Sequence, residues 1–366
     1  MTPPRHALLL SGSIGMGHDT LASACAAWLA AAGWSAQTLD LMRMLGRGGD
    51  SAGGAVFRAM LSVAGVYDAY YFAALRTGNR LAAATDAAAR ARIVPRLRGY
   101  LDAHPADLAL SVFATAASAV SSLAGRYRGM RHVVFCTDVT PHRLWVQPHV
   151  DLYLVTSAVA ELCVRRFEPR ARIMVVPAPL RAEFRSPPDR AAARDALGVP
   201  VHGRCVLLIS GAWGIGPLAQ AADRLGAAGL HVLAVAGRNA GLERRLRAVA
   251  ARQPMVRPFG FCDQIPLLMA ASDLVISSSG DTCTEARTIG RPLLLLDVVQ
   301  GHGRDNLQHE LELGGAAVTS GRPADVVRAA VWALDHLKAA APAGQPAGRP
   351  ATWQSALSGA LASIGL

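Results

Sequence analysis

The chain has 366 residues, of which 52% are hydrophobic and 17% charged, so it is long enough for two or three domains with sizeable cores. Its formal net charge is +11, but 36 of its 37 basic residues are arginine. This skew is typical of codon bias, so the charge gives little support to nucleic-acid binding. Six scattered cysteines without a C-x-x-C pair argue against a zinc site or a disulfide scaffold and indicate the reduced thiols of a cytosolic protein.

Two apolar segments resemble export or membrane sequences only superficially. Residues 5–25 contain an apolar run behind Arg5, but glycines and His18 interrupt it, so we expect no signal peptide. Residues 108–125 carry no charge but are rich in Ser and Ala. That composition predicts a buried strand leading into a small-residue helix, not a membrane span.

The first predicted unit is a strand at residues 7–10, a glycine-rich loop, a helix from residue 19 or 20 to 32, and a strand at 35–39. The glycine spacing in the loop is G-x-x-G-x-G, which differs from the dinucleotide-binding G-x-G-x-x-G. His18 stands at the start of the helix, whose positive end favours a neutral imidazole suited to general-base chemistry. The alternative is a helix-start residue without a chemical role.

The next region combines aromatic residues with arginines. A helix predicted at residues 55–75 has an apolar stripe with tyrosines, and several arginines follow up to residue 98. This pattern suits a membrane interface, although ordinary core packing remains an alternative. Residues 1–186 hold 20 arginines against 12 acidic residues, so a surface for anionic lipid and a solvated basic face both stay open.

A polar segment follows a predicted buried strand at residues 133–137, and a further strand is predicted at 152–156. The segment contains Asp138, His142 and Trp145. Asp138 is expected to orient or charge-stabilise His18, as a carboxylate orients a catalytic imidazole, and Trp145 to stack on a sugar or an acylglycerol. The structural alternatives are a turn cap for Asp138 and a core aromatic for Trp145.

Prolines after a strand at residues 173–176 predict a domain boundary. We predict an N-terminal domain over residues 1–183, a linker over 184–200, a C-terminal domain over 201–338, and a final linker and helix over 339–366 that packs back on the first domain. The C-terminal domain begins with a strand at 206–209 and a second glycine loop. Free N–H groups at this helix start suit a diphosphate; the loop residues are Gly211, Gly214, Ile215, Gly216 and Pro217.

Two more polar loops follow predicted strands in the second half. Strand 274–276 leads into the turn Ser279-Gly280 and a helix with Glu285, which suits a ribose diol. Strand 293–296 leads into a loop with His302 and then Asn306. Because ligands sit at the carboxyl ends of parallel strands, these loops are candidates for a nucleotide site. The alternative is that Gly280 only makes the turn and Glu285 only favours the helix dipole.

Together these motifs resemble the glycosyltransferases that include monogalactosyldiacylglycerol synthase, the processive diacylglycerol glucosyltransferases and the peptidoglycan-precursor N-acetylglucosaminyltransferase. The resemblance rests on Gly-x-Gly-His at residues 15–18, Thr-Asp to Trp at 137–145, the loop at 211–217, and the run from Gly260 to Asn306. It implies an α/β protein of the GT-B fold, in which two Rossmann-like parallel-sheet domains face a central cleft.

The resemblance also implies an activity and a site. The expected reaction is inverting, metal-independent transfer of a hexose from a UDP-sugar to a lipid such as diacylglycerol, with no cofactor and no nucleic-acid partner. The absence of Asp-x-Asp from the sequence argues against a metal-held diphosphate. The implied location is cytoplasmic, with peripheral contact at the inner face of the plasma membrane. The implied site residues are His18 and Asp138 for catalysis, Gly15, Gly17, His142 and Trp145 for the acceptor, and Gly211, Gly214, Ile215, Gly216, Ser279, Gly280, Glu285, His302 and Asn306 for the donor.

Other functions fit parts of the same pattern. The acceptor is open between a lipid and a small-molecule aglycone. A nucleotide-sugar 2-epimerase shares the fold but needs a carboxylate cluster, which does not stand out in the sequence. A binding protein that senses nucleotide sugars without catalysis is the alternative from a different class.

Overall fold

The computed structural model describes residues 4–12, 16–45, 71–341 and 352–366, apart from the side chains of Met16 and Ala182. Gly15 and most of the helix predicted at 55–75 lie outside these residues. The chain divides into two compact units. Unit 1 comprises Met1–Pro179 and Ala343–Leu366, and unit 2 comprises Leu180–Pro342.

Unit 1 is built on a six-stranded parallel sheet in the order β2-β1-β3-β4-β5-β6. Its strands are β1 (His6–Ser11), β2 (Ser35–Asp40), β3 (Leu108–Ser111), β4 (Arg131–Phe135), β5 (Leu152–Val155) and β6 (Ile173–Val175). Its helices are α1 (Met16–Ala31), α2 (Arg80–Ala103), α3 (Ala114–Ser121), α4 (Ala158–Phe167) and, from the end of the chain, α12 (Trp353–Ser363). Short helical turns occupy Arg43–Leu45, Tyr71–Leu75 and Arg143–Trp145.

Helices cover both faces of this sheet. Alternate residues of β1 enter two different cores: Ala7 and Leu9 pack with α1 and α12, whereas Leu8 and Leu10 pack with α2 and α3. A strand covered on both faces needs apolar residues throughout, because neither side meets water. The continuous apolar run that predicted β1 therefore reflects its central place in the sheet. The final helix reaches this core through residues such as Trp353 and Leu357.

Unit 2 repeats the plan with a six-stranded parallel sheet in the order β12-β11-β10-β7-β8-β9. Its strands are β7 (Cys205–Ile209), β8 (His231–Val235), β9 (Val256–Phe259), β10 (Leu274–Ser277), β11 (Leu293–Leu296) and β12 (Ala316–Thr319). Its helices are α5 (Arg190–Ala196), α6 (Leu218–Ala227), α7 (Ala240–Ala250), α8 (Ile265–Ala271), α9 (Asp281–Thr288), α10 (His302–Glu312) and α11 (Pro323–His336), with a short turn at Ala182–Phe184.

The segment predicted as a linker, residues 184–200, contains α5 and belongs to unit 2. Arg194 of α5 is fully buried and donates to the carbonyl oxygens of Ala271, Pro200, Val201 and Gly203 and to the carboxylate of Asp273. A buried guanidinium is tolerated where its donors are satisfied. These bonds fasten α5 to the end of α8 and the start of β7.

Each sheet has one point at which the strand order reverses. In unit 1 the chain goes from β1 to β2 on one side and returns to β3 on the other, so the reversal lies between β1 and β3. In unit 2 it lies between β7 and β10. The loops that leave such neighbouring strands diverge to opposite faces and open a crevice, which is where ligands bind in open α/β sheets. The glycine loops predicted from the sequence follow β1 and β7, one at each reversal.

Candidate functional site

His18 lies at the reversal point of unit 1, near the start of α1. Its ring meets the Phe113 ring, which follows β3, edge-on at a centroid distance of 5.3 Å. The Trp145 ring lies at 6.4 Å. Gly12 at the end of β1 makes this packing possible, because a Cβ there would come within 2.5 Å of the Phe113 ring. Phe113, packed on Gly12, and Trp145 therefore lie beside a half-buried imidazole.

A polar side chain also contacts His18: Oγ1 of Thr137 lies 3.3 Å from Nδ1 of the imidazole. Asp138, which was expected to orient His18, has other partners. Its Oδ2 accepts a hydrogen bond from Nε1 of Trp145 at 2.8 Å and lies 3.7 Å from Nε2 of His142. The described polar contacts of Asp138 are therefore with residues other than His18. Its predicted role, to orient or charge-stabilise His18, stays a prediction.

Trp145 is only 1% exposed and packs in an apolar cluster with Ala117, Val134 and Tyr153. The expectation that it stacks on an acceptor does not fit a ring whose faces are already covered by unit 1. The structural alternative, a core aromatic, describes it better. The polar group of the indole, its N–H, donates a hydrogen bond to Asp138.

The other predicted acceptor residues differ in what the structure describes. His142 is 8% exposed, and its Nδ1 accepts from the N–H of Leu144, which caps the short helix Arg143–Trp145. Its ring also lies 6.3 Å from that of Tyr71. Gly17 is half-buried in the first turn of α1, and Gly15 lies outside the described residues. Contact of any of these with an acceptor stays a prediction.

In unit 2 the glycine loop after β7 adopts the backbone that only glycine takes easily. Gly211, Gly214 and Gly216 have φ of 57°, 56° and 105°, values at which other residues are strained. Gly211 and Gly216 are exposed, and Ile215 is half-buried. The loop ends at Pro217, which precedes the first residue of α6. N–H groups at such a helix start are suited to an anion.

The loop after β8 fixes the shape of this glycine loop. The N–H of Arg238 donates to the carbonyl of Ala212 at 2.7 Å. Asn239 donates through Nδ2 to the carbonyl of Trp213 at 3.0 Å and accepts from the N–H of Leu242. The Asn239 side chain therefore both caps α7 and donates a hydrogen bond to the glycine loop. A preformed loop binds an anion without a further cost in conformational freedom.

The turn after β10 and the start of α10 are bonded to each other. Ser279 donates through Oγ to the carbonyl of Gly303 at 2.6 Å, and Nδ2 of Asn306 lies 3.5 Å from the carbonyl of Ser279. Gly280 is exposed and caps α9, whereas His302 is the half-buried first residue of α10. The hydroxyl of Ser279 and the amide of Asn306 thus connect two of the predicted donor loops. Direct donor contacts by these residues stay predictions.

Glu285 is partly buried in the second turn of α9 and accepts no hydrogen bond from the described residues. Burial raises the pKa of its carboxyl from the ordinary 4.5 to about 8. The neighbouring charge of Asp281 adds to the rise, and the Arg181 guanidinium opposes it. At neutral pH this carboxyl mostly keeps its proton. It can then donate to one oxygen of a diol while accepting from another.

This raised pKa predicts that unit 2 loses stability as the pH rises. The contribution of Glu285 is fully present below the unfolded pKa near 4.5 and is lost as the pH passes through about 8, because the folded protein then holds a poorly solvated carboxylate. At about 1.4 kcal/mol per pKa unit, the upper bound is about 5 kcal/mol. We expect Glu285→Gln to raise the melting temperature more at about pH 9 than at about pH 5.

Glu312→Gln is the matched control, since the same change is made at an exposed site near the end of α10. Its effect on the melting temperature should be small at both pH values. Identical pH slopes for the wild-type chain and Glu285→Gln would contradict the raised pKa of Glu285.

The structure also brings in residues that the sequence analysis missed. Arg181 belongs to unit 2, half-buried, with its guanidinium 5.0 Å from the Phe184 ring and close enough to Glu285 to affect its pKa. Thr137 and Asn239 act on His18 and on the glycine loop. The available signal for Arg181 was its position just beyond a strand and a proline-rich turn. Thr137 belongs to the Thr-Asp motif, but nothing in the sequence singled out its hydroxyl, and nothing singled out Asn239.

In the part of the chain that the structure describes, no three or more His, Cys, Asp or Glu side chains are grouped so that they could hold a metal ion. None of the helices placed there is both long and apolar enough to cross a bilayer.

Known proteins resemble this chain both in sequence and in fold. Residues 30–165 match the family model for monogalactosyldiacylglycerol (MGDG) synthase. A processive diacylglycerol beta-glucosyltransferase from Bacillus pumilus is 27% identical over 198 residues, which are 52% of this chain and 51% of that protein. The chloroplastic monogalactosyldiacylglycerol synthase of Spinacia oleracea is 31% identical over 206 residues, 52% of this chain and 39% of the relative. The matches thus span about half, or less, of the relatives' lengths.

Solved structures show the same fold across nearly the whole chain. MurG from Acinetobacter baumannii superposes with a TM-score of 0.58 at 16% identity and covers 90% of both chains. Anabaena Alr3699/HepE, solved with UDP-glucose, gives a TM-score of 0.52 at 18% identity and covers 90% of this chain and 88% of its own. The predicted fold class is confirmed: this is a protein of the GT-B fold whose residues 30–165 match the monogalactosyldiacylglycerol synthase family.

Proposed function

We propose that this protein transfers a hexose from a UDP-sugar to a lipid acceptor such as diacylglycerol, with inversion at the anomeric carbon and without a metal ion. Its relatives are named for the glycosylation of diacylglycerol, and one protein of the same fold was solved with UDP-glucose. The proposal rests on the groups found at the reversal points of the two sheets. Unit 1 has an imidazole there, and unit 2 has a glycine loop near a helix start.

The reaction is a direct displacement in which His18 is the base. The oxygen of the acceptor hydroxyl attacks the anomeric carbon, and the bond from that carbon to the diphosphate oxygen breaks. The bonding electron pair leaves with UDP, and the proton of the hydroxyl passes to the imidazole of His18, which later releases it to water. General-base catalysis of this kind contributes about 10²–10⁴-fold to a rate.

The leaving diphosphate needs positive potential, and unit 2 offers it from amides. The N–H groups around Gly211, Gly214 and Gly216, together with the start of α6, would bind its oxygens as preorganised dipoles. Arg181 supplies a full positive charge near Glu285. Glu285 would hold the ribose diol, while His302 and Asn306 would contact the donor sugar or the phosphates. No metal or cofactor is needed in this scheme.

The experiment is a transfer assay with radiolabelled UDP-sugars. Diacylglycerol in mixed micelles, a second lipid and a panel of small-molecule aglycones are offered as acceptors, with and without EDTA. We expect label in the diacylglycerol fraction, unchanged by EDTA. Label found only in small-molecule products would show that the acceptor is a small-molecule aglycone and not a lipid. Binding of UDP-sugar without transfer or hydrolysis would point to a non-catalytic nucleotide-sugar-binding protein.

The proposal includes peripheral contact between unit 1 and an anionic membrane. Arg80, Arg92 and Arg96 are exposed on α2, and Leu81, next to Arg80, is 56% exposed. The acidic residues of α2 are already engaged, since Asp86 is buried against Arg90 and Asp102 pairs with Arg126. The exposed face of α2 is therefore basic with an apolar side chain, as at a membrane interface.

Vesicle sedimentation tests this contact. Each arginine near an anionic surface is worth about 1 kcal/mol, or about fivefold in partitioning. We expect Arg92→Ala with Arg96→Ala to weaken binding to phosphatidylglycerol vesicles by about 25-fold on that figure. The control changes two exposed arginines of unit 2, Arg244→Ala with Arg245→Ala, and should bind as the wild type does. No loss in the unit 1 variant, or an equal loss in both variants, would contradict a contact through α2.

A further inference from the structure

Among the described residues, the polar partner of His18 is a hydroxyl and not a carboxylate. Nδ1 of His18 lies 3.3 Å from Oγ1 of Thr137, and the remaining described contacts of the ring are with the aromatic rings of Phe113 and Trp145. A neutral imidazole has one nitrogen that donates and one that accepts, and the partner of the first fixes the role of the second. Because the Thr137 hydroxyl can either donate or accept, the direction of its hydrogen bond with Nδ1 decides which nitrogen is available as a base.

The carboxylate that follows Thr137 in the chain is not available for this task. Asp138 accepts from the Trp145 indole at 2.8 Å and has His142 at 3.7 Å. On the side of α1, Asp19 accepts from Oγ of Ser11 at 2.5 Å. Asp19, Asp138 and His142 are thus engaged with partners other than His18.

We propose that Thr137 is the positioning residue that holds His18 in the Nδ1–H tautomer, so that Nε2 takes the proton of the acceptor. In this arrangement Nδ1–H donates to Oγ1 of Thr137, and the hydroxyl hydrogen of Thr137 is turned away from the imidazole. A hydroxyl orients the ring but is neutral, so it does not add the charge attraction that a carboxylate would give to the imidazolium. The choice of this tautomer rests on the proposed transferase function, in which Nε2 is the base, whereas its measurement by NMR does not depend on activity.

The test compares Thr137→Val, which keeps the shape but removes the hydroxyl, with Thr137→Ser, which keeps the hydroxyl. Nitrogen-15 NMR of histidine-labelled protein reports the tautomer directly, and the His18 signals are assigned by their loss in His18→Gln. We expect Nδ1–H in the wild type and in Thr137→Ser. In Thr137→Val we expect the signals to shift towards the Nε2–H form, which free imidazole side chains favour.

Kinetics give the second readout. Loss of one hydrogen bond to the base should lower kcat of Thr137→Val by about tenfold and change the pH profile of kcat, with KM for the UDP-sugar unchanged. Thr137→Ser should recover most of the rate. Circular dichroism of both variants, compared with the wild type, separates misfolding from a local effect.

An Nε2–H tautomer in the wild-type protein would overturn the proposal, as would a Thr137→Val variant that folds with an unchanged tautomer. If Thr137→Val misfolds, the wild-type and Thr137→Ser spectra still decide the tautomer. If no acceptor is glycosylated at all, the transferase function fails, but the NMR result on His18 and Thr137 stands by itself.

Discussion

Replacement of His18 by alanine should lower turnover by about 10²–10⁴-fold, the usual contribution of a general base. The acceptor hydroxyl would then have to lose its proton to water while it attacks the anomeric carbon. Affinity for the UDP-sugar should stay within about twofold, because the predicted nucleotide contacts lie in unit 2 and this change leaves them intact. Initial rates with saturating donor and calorimetric titration of UDP measure the two quantities separately.

His104→Ala is the matched control for this experiment. His104 is an exposed histidine of the same unit, stacked on Tyr100 just after the end of α2, where the chain approaches the amino end of the sheet and not the carboxyl end. Its loss should leave turnover unchanged. A His18→Ala enzyme as active as the wild type would remove His18 from the base role.

Replacement of Arg287 by methionine should destabilise unit 2 by about 3–5 kcal/mol, the cost of leaving one member of a buried ion pair alone. The side chain of Arg287 is 1% exposed, and its Nε donates to the Glu310 carboxylate at 2.6 Å. Its other nitrogens donate to the carbonyls of Gly314 and Glu310 at 2.8 Å. The pair ties α9, which carries Glu285, to α10, which carries His302. Urea-induced unfolding measures the effect.

Two further variants separate the ion pair from its burial. Replacing both Arg287 and Glu310 by methionine removes the unpaired charge, so the double variant should be clearly more stable than Arg287→Met. Arg328→Met breaks an ion pair with Asp325 in which the arginine is 75% exposed, and it should cost no more than about 1 kcal/mol. A loss for Arg287→Met as small as that for Arg328→Met would show that the buried pair contributes little.

The central strands could be read from the sequence because each is buried on both faces. β3, β4, β5, β7, β10 and β11 appear as short apolar runs near the predicted positions, and α3 follows β3 as the small-residue composition predicted. β12 was not predicted. Its residues Ala316–Thr319 form an edge strand in which three of the four residues are at least partly exposed, so its apolar signal is weak. The 24-residue α2 was missed as well, since Pro95 and many arginines obscure its period.

Part of the candidate site could also be predicted, because its motifs are local. The glycines at 211, 214 and 216 predict the positive φ angles that the loop adopts. A histidine directly after a glycine loop indicates the helix start. The side chains that contact these motifs could not be predicted in the same way. Asn239 reaches the glycine loop from the next βα unit, and the partner of Asp138 is an indole seven residues away.

The sequence by itself determined two series of buried parallel strands and the polar loops at their carboxyl ends, since apolar runs and glycine spacing are properties of short segments. The tertiary structure alone decided that β1 adjoins β3 and β7 adjoins β10, and hence which loops meet at each reversal. It alone placed Thr137 on His18 across 119 positions of chain and buried Trp145. The physical reason is that strand order and side-chain contacts depend on packing between distant segments, which no local pattern encodes.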